Sequence, residues 1–216
     1  MLEKTNDEIR VTYMKTVYLF ILGSLGGFLL EGIFSYIKRG AWESHVVSVW
    51  GPFCIIYGIG CAVCYKGFSM MQHKKRSYQF LMFGIGGCVL ELVCGAFLDM
   101  QFHMRAWNYT KHPFNFRGYV SPDMIIVWGV LGILFTLVIP RLDRIFNKMN
   151  SRNWSLFCKA FIVFMTVNLC ITGMAISRWS DRHFSIPAAN SVDYTLDRIY
   201  PDDYMQERFC EWKFIN

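Results

Sequence analysis

Charge is what this sequence has least of. Asp, Glu, Lys and Arg make up only 18% of its 216 residues, where a soluble domain carries about 25%. The deficit excludes an ordinary solvated surface, because 54% of the chain is hydrophobic and those residues come in long blocks. The fingerprints of common enzymes are also absent. There is no Gly-x-Ser-x-Gly, no P-loop and no dinucleotide-binding glycine pattern. A basic face of the kind that grips nucleic acid is missing too. The net charge is +6, and the basic residues sit in short stretches such as His73-Lys74-Lys75-Arg76. Such stretches are expected beside membrane spans, so nucleic acid is not an expected partner. No cleavable leader is expected, because Met1 to Val11 is polar and the first apolar block is long.

Cysteine is plentiful, but a disulfide framework is not implied. Of eight cysteines, Cys54, Cys61, Cys64, Cys88, Cys94, Cys158 and Cys170 fall inside apolar blocks, where Cys acts as a small hydrophobe. Cys61-x-x-Cys64 lies in mid-block with no second pair. His45, His103 and His112 lack the i, i+4 spacing of a helical metal site. Neither a metal nor a cofactor is expected.

What is present is apolar length. Five blocks, about 13–37, 49–65, 78–98, 124–140 and 154–176, approach or exceed the roughly 20 helical residues that cross a hydrocarbon core. Backbone amides in lipid must bond within their own segment, so helices are expected. The fold class is therefore an all-α integral membrane protein of about five transmembrane helices. The second and fourth blocks are short and contain glycine, which makes one of them a candidate for a tilted, broken or re-entrant segment. Lys4, Arg10 and Lys15, then Lys66 with Lys74 to Arg76, then Arg141, Arg144, Lys148 and Arg152 place those segments on the cytoplasmic side. The tail from 179 to 216 then lies outside. It is net acidic, with Asp193, Asp197, Asp202, Asp203, Glu207 and Glu211, and reads as an amphipathic surface helix or a loosely ordered segment.

An internal repeat organises the first four blocks. At a spacing of sixty, Tyr18 matches Tyr78, Phe20 matches Phe80, Gly26-Gly27 matches Gly86-Gly87, and Leu30-Glu31 matches Leu90-Glu91. Val49-Trp50-Gly51 matches Val127-Trp128-Gly129. Two blocks per unit give both copies one orientation, so the repeat is parallel, with units at about 13–66 and 78–140.

Glu31 and Glu91 are the residues most able to carry chemistry. A carboxylate within a span costs several kcal/mol and rarely faces lipid. Each sits on a small-residue stripe, Gly23-Gly27-Glu31-Ser35 and Gly87-Glu91-Gly95-Asp99. Such stripes let helices approach closely, so the first and third helices are expected to pack together around a polar pocket. The expected binding residues are Glu31, Glu91, Trp50, Tyr57, Trp107, Arg117 and Trp128, and either one carboxyl holds a proton at neutral pH or Arg39, Arg105 or Arg117 compensates the pair. The competing reading has each Glu locked by an ion pair, or by a Trp or Tyr hydrogen bond that only fixes helix register.

Several motifs together resemble the ABC-transporter type IV, or CmpB-like permease, family of Gram-positive bacteria. They are Gly26-Gly27-Phe28-Leu29-Leu30-Glu31, Trp50-Gly51-Pro52 with Ile56-Tyr57-Gly58, Trp107-Asn108-Tyr109 with Pro113-Phe114-Asn115, and Val127-Trp128-Gly129. Arg178-Trp179-Ser180-Asp181-Arg182, Ile186-Pro187-Ala188-Ala189-Asn190 and Tyr200-Pro201-Asp202-Asp203 complete the set. Family members often carry Asn-Arg-Gly before the Gly-Pro of the second helix; here that stretch reads His45-Val46-Val47. The resemblance implies a permease-like protein of the bacterial cytoplasmic membrane. It also implies an ATPase or other membrane subunit as partner; membrane lipids are expected from the apolar blocks, and a homo-oligomer is a further candidate. The expected function is transport-related binding of a small molecule, ion or lipid headgroup between helices 1 and 3. A non-enzymatic membrane scaffold, and an intramembrane enzyme using Glu31 or Glu91 as acid or base, are the alternatives.

Overall fold

The computed structural model describes residues 9–43 and 45–215; Lys4, counted above among the cytoplasmic charges, lies outside them. Five principal helices make up the bundle: α1 (Tyr13–Arg39), α2 (Ile55–Met71), α3 (Arg76–Phe102), α4 (Met124–Lys148) and α5 (Arg152–His183). Two short helices follow, α6 (Ser191–Ile199) and α7 (Asp202–Arg208). A two-residue strand β1 (Met104–Arg105) pairs antiparallel with β2 (Lys213–Phe214). The protein is all-α, and α1, α3, α4 and α5 are each long and apolar enough to cross a membrane. Leu22, Leu29, Ile33, Val89, Val93, Leu134 and Val163 are exposed along them, which is the surface lipid would cover.

The short helix is α2, with 17 residues, at the lower edge of what a crossing needs, about 17. It begins six residues later than its apolar block. The cause is Trp50-Gly51-Pro52: Gly51 takes φ +75°, and Pro52 has no amide to donate. Residues 45–54 instead run irregularly into the bundle, with Val46, Ser48, Val49 and Cys54 buried. Buried irregular backbone needs partners. Thr172 Oγ1 accepts from Val49 N at 2.9 Å, and Asn168 Oδ1 accepts from Trp50 N at 3.2 Å. Cys54 N donates to Ser24 O at 3.1 Å. The expected end of α4 at Pro140 is also corrected, since the helix runs eight residues further.

The small-residue stripes do not join α1 to α3. Each packs on the helix that follows it. A side chain at Gly27 would meet the ring of Tyr57 on α2, and one at Gly87 would meet the ring of Trp128 on α4. Helices that approach this closely need glycine at the crossing. The two pairs use corresponding contacts: Gly58 lies against Phe20, and Gly129 against Phe80. In space, then, Tyr57-Gly58 is the counterpart of Trp128-Gly129. The sequence match had given that place to Trp50-Gly51, seven residues too early.

The tail is ordered. Asn190 caps α6 by accepting from Val192 N and Asp193 N, the usual role of Asn at that position. Leu196, Tyr200, Met205, Phe209 and Trp212 are buried against Leu98, Phe102, Ala175, Ile176 and Trp179. Arg178, itself buried, is held by Asp197 at 2.8 Å and by Asp181 at 3.1 Å. Arg182 bonds Asp197 and Asp202. These contacts carry α5 seven residues past its apolar block and fix the tail across one end of the bundle.

Candidate functional site

Beneath the tail lies a cavity of about 720 Å³. Its walls come from all four of the first helices: Leu30, Glu31, Phe34 and Lys38 of α1, Ile56 and Tyr57 of α2, Glu91 of α3, and Val127, Trp128 and Leu131 of α4. Residues 45–47, with Trp107, Tyr109 and His112, close one side, and Phe209, Glu211 and Trp212 of the tail close another. Of the seven residues expected to bind, Glu31, Glu91, Tyr57, Trp107 and Trp128 line this one space. Trp50 does not; it stacks on Phe164 of α5, ring centroids 6.5 Å apart. Nor does Arg117, which is exposed in the 103–123 loop at φ +52°.

Tyrosines, not arginines, hold the two carboxylates. Tyr57 donates its phenol to Glu31 Oε1 at 2.5 Å, and Tyr109 donates to Glu91 Oε1 at 2.8 Å. Burial, then the charge and hydrogen bond of Glu91, raise the Tyr109 pKa well above the usual tyrosine value, so the phenol stays a donor. The arginines expected to compensate are occupied elsewhere. Arg39 pairs with Glu43 and with Glu211, and Arg105 pairs with Asp99 at 3.2 Å. Glu91 is 95% buried, at 5% exposure, and its Oε2 has no hydrogen-bond partner. Trp128 Nε1, likewise buried, faces the Glu91 carboxylate but falls short of hydrogen-bond geometry.

His45 ties the carboxylates to the tail. Its Nδ1 lies 2.5 Å from Glu211 and 3.8 Å from Glu31. Burial alone lowers the imidazole pKa, but the Glu211 hydrogen bond and the charges of Glu211, Glu31 and Glu43 outweigh it, and the net shift is upward. Glu43, His45 and Glu211 place donor atoms within 4.8 Å of one another, a spacing a metal ion tolerates. Arg39 already compensates both carboxylates of that trio.

Sequence reasoning missed Tyr109, Glu211 and Trp212, while His45 and His112, in loops expected beside the two glutamates, do line the cavity. Tyr109 reaches Glu91 because of how the 103–123 loop folds: Trp107 Nε1 donates to Tyr119 O at 2.8 Å, and Tyr109 N donates to Gly118 O at 2.9 Å. No spacing rule foretells that path. The Trp107-Asn108-Tyr109 motif was the one available signal.

A family model described as "Putative ABC-transporter type IV" matches residues 18–173, well over half of the chain. The matched stretch contains α2, α3, α4, most of α1 and α5, and every helix residue that lines the cavity. No curated protein and no solved structure matches the chain.

Proposed function

The chain belongs to the ABC-transporter type IV family, and from that premise we propose that its tail-end cavity is the ligand site of a transport-related membrane protein. The ligand is a small molecule, an ion or a lipid headgroup. One observation supports this most strongly: a single cavity collects both intramembrane carboxylates, Glu31 and Glu91, with the rings of Tyr57, Trp107 and Trp128. Intramembrane carboxylates that face a bundle interior or cavity mark ligand paths in membrane proteins, and neither Glu31 nor Glu91 is neutralised by an arginine among the described residues. A concave, largely apolar space with a few convergent polar groups is the usual form of a small-molecule site.

On this reading the chain is a multi-pass protein of the bacterial cytoplasmic membrane, with the tail and cavity on the outer side. The basic segments at 66–76 and 141–152 then face the cytoplasm, in accord with the positive-inside pattern. Lipids surround the exposed faces of α1, α3, α4 and α5, and an ATPase or another membrane subunit supplies the energy for movement. The experiment is native mass spectrometry of the protein purified from its own membrane. A bound species is expected on the wild type and lost on Leu30→Trp, which fills the cavity from α1. A species retained by the filled variant would remove the cavity as the site.

A further inference from the structure

We propose that the ligand of this cavity is an amphiphile with a primary ammonium headgroup, of the aminophospholipid type, entering sideways from the bilayer. This deepens the ligand-site reading above and rests on it. The starting point is Glu91. It is 95% buried, with 5% exposed, Oε1 takes the Tyr109 phenol, and Oε2 is buried with no partner. A buried carboxylate oxygen without a donor is costly, so the site calls for a donor, and a positively charged one best. The local charge agrees. Glu31, Glu91 and Glu211 line the cavity against Lys38, His45 and His112. His45 and Arg39 share Glu211, and His45 lies 3.8 Å from Glu31, so Glu91 is the carboxylate with no cationic partner among the described residues.

The walls narrow the class further. Tyr57, Trp107 and Trp128 surround the carboxylates, and aromatic faces attract ammonium groups. A quaternary ammonium would satisfy those rings but has no N–H for Glu91 Oε2. A primary ammonium satisfies both. Trp128 Nε1 faces Glu91 without completing a hydrogen bond to it, so it is able to turn to an acceptor oxygen next to the ammonium, as a phosphodiester provides. Lys38 sits at the rim on α1 with its ammonium over the Phe34 ring, placed for the same phosphate.

The entry side is apolar. Leu30 and Phe34 on α1, and Val127 and Leu131 on α4, line the cavity and are exposed, as the lips of an open, apolar gap between these two helices would be. A gap whose lips face lipid admits a headgroup while its acyl chains stay in the bilayer. A soluble amine would have to enter past the tail, where Phe209 and Trp212 are buried.

The test is a titration of the full chain in detergent with four probes: short-chain phosphatidylethanolamine, the matching phosphatidylcholine and phosphatidylglycerol, and free phosphoethanolamine. Binding is read by tryptophan fluorescence. The ethanolamine lipid is expected to bind roughly tenfold more tightly than the other three. Glu91→Gln and, separately, Glu31→Gln should each remove that preference while the melting temperature stays near wild type. Phosphoethanolamine binding as tightly as the lipid would overturn lateral entry. Equal binding of all three lipids, abolished by Leu30→Trp, would overturn the ammonium class and leave the cavity as the ligand site. Binding of every probe unchanged by Leu30→Trp would overturn both.

Discussion

The Lys15 cluster at one end of the bundle and the cavity beneath the tail treat buried charge in opposite ways. At the end away from the tail, Lys15 of α1 is buried and meets Asp143 of α4 at 2.6 Å. Tyr65 of α2 donates to the same Asp143 oxygen at 2.6 Å, and Asn147 donates to the other at 3.1 Å. Arg76, which is exposed, donates at the same end to Gln79 at 2.9 Å and Thr136 at 2.7 Å. At the tail end, Glu31 and Glu91 each have one tyrosine and no arginine or lysine, and one oxygen of Glu91 has nothing. Charge that is neutralised where it is buried ties helices together. Charge left under-compensated beside a cavity is suited to a ligand. The difference predicts which carboxylates the fold can lose: those that pair a buried cation are costly to remove, and those that only line the cavity are not.

The largest effect is expected from Asp143→Ala. It strands Lys15 in the interior, and breaking a buried pair from one side costs about 3–5 kcal/mol. Thermal unfolding in detergent should show a strongly lowered midpoint; a midpoint within a degree or two of wild type would mean the Lys15 cluster is not structural. Next is Asp197→Ala, which leaves buried Arg178 with Asp181 alone and should cost roughly 3 kcal/mol. The hydrogen bond from Arg178, opposed by burial and aided by Arg182, lowers the Asp197 pKa below the ordinary aspartate value. Its stabilisation is therefore full above that ordinary value and is lost as pH falls through the lowered one. Limited proteolysis of the 185–215 segment at decreasing pH should show the tail releasing before the bundle unfolds.

His45 gives a smaller effect of the opposite sign. Its folded-state pKa is raised by Glu211, Glu31 and Glu43 in spite of burial. The stabilisation it provides is thus full below the ordinary histidine pKa and fades as pH rises through the raised one. Hydrogen exchange at residues 209–215 should quicken over that rise in wild type and show no such step in His45→Gln. Smallest is the stability effect of Glu91→Gln. Because no arginine is stranded, the midpoint should move by no more than about 1 kcal/mol in stability; a loss of several kcal/mol would place Glu91 with the structural charges of the other end.

Most of the fold was legible because lipid makes a compositional demand. Long apolar blocks had to be helices, and five such blocks gave the five principal helices. Glu31 and Glu91 stood out for the same reason, as charges inside apolar runs. Their partners were legible only in kind: a Tyr hydrogen bond was one of the two readings and Tyr57 was in the expected set, but Tyr109 was not. Arg39 and Arg105 are long side chains on loop edges, and which carboxylate each meets depends on the path of the loops and tail. The start of α2 was blurred because Trp50 is apolar enough to extend a hydropathy block, while Gly51 and Pro52 break the helix there. The same residue misplaced the repeat, since matching Trp to Trp hid that Tyr57 makes the contact equivalent to that of Trp128. The stripes were read as an α1–α3 interface because small-residue spacing shows that a helix is approached closely, and not by which neighbour.

The most direct measurement is an experimental structure of the protein taken from native membrane, viewed at the cavity between α1, α2, α3 and α4. The predicted result is non-protein density within hydrogen-bond reach of Glu91 Oε2, with Gly27 packed on Tyr57 and Gly87 on Trp128. The contradicting result is Glu91 Oε2 bonded to Trp128 Nε1 in a closed, side-chain-filled space, or either glutamate turned toward lipid.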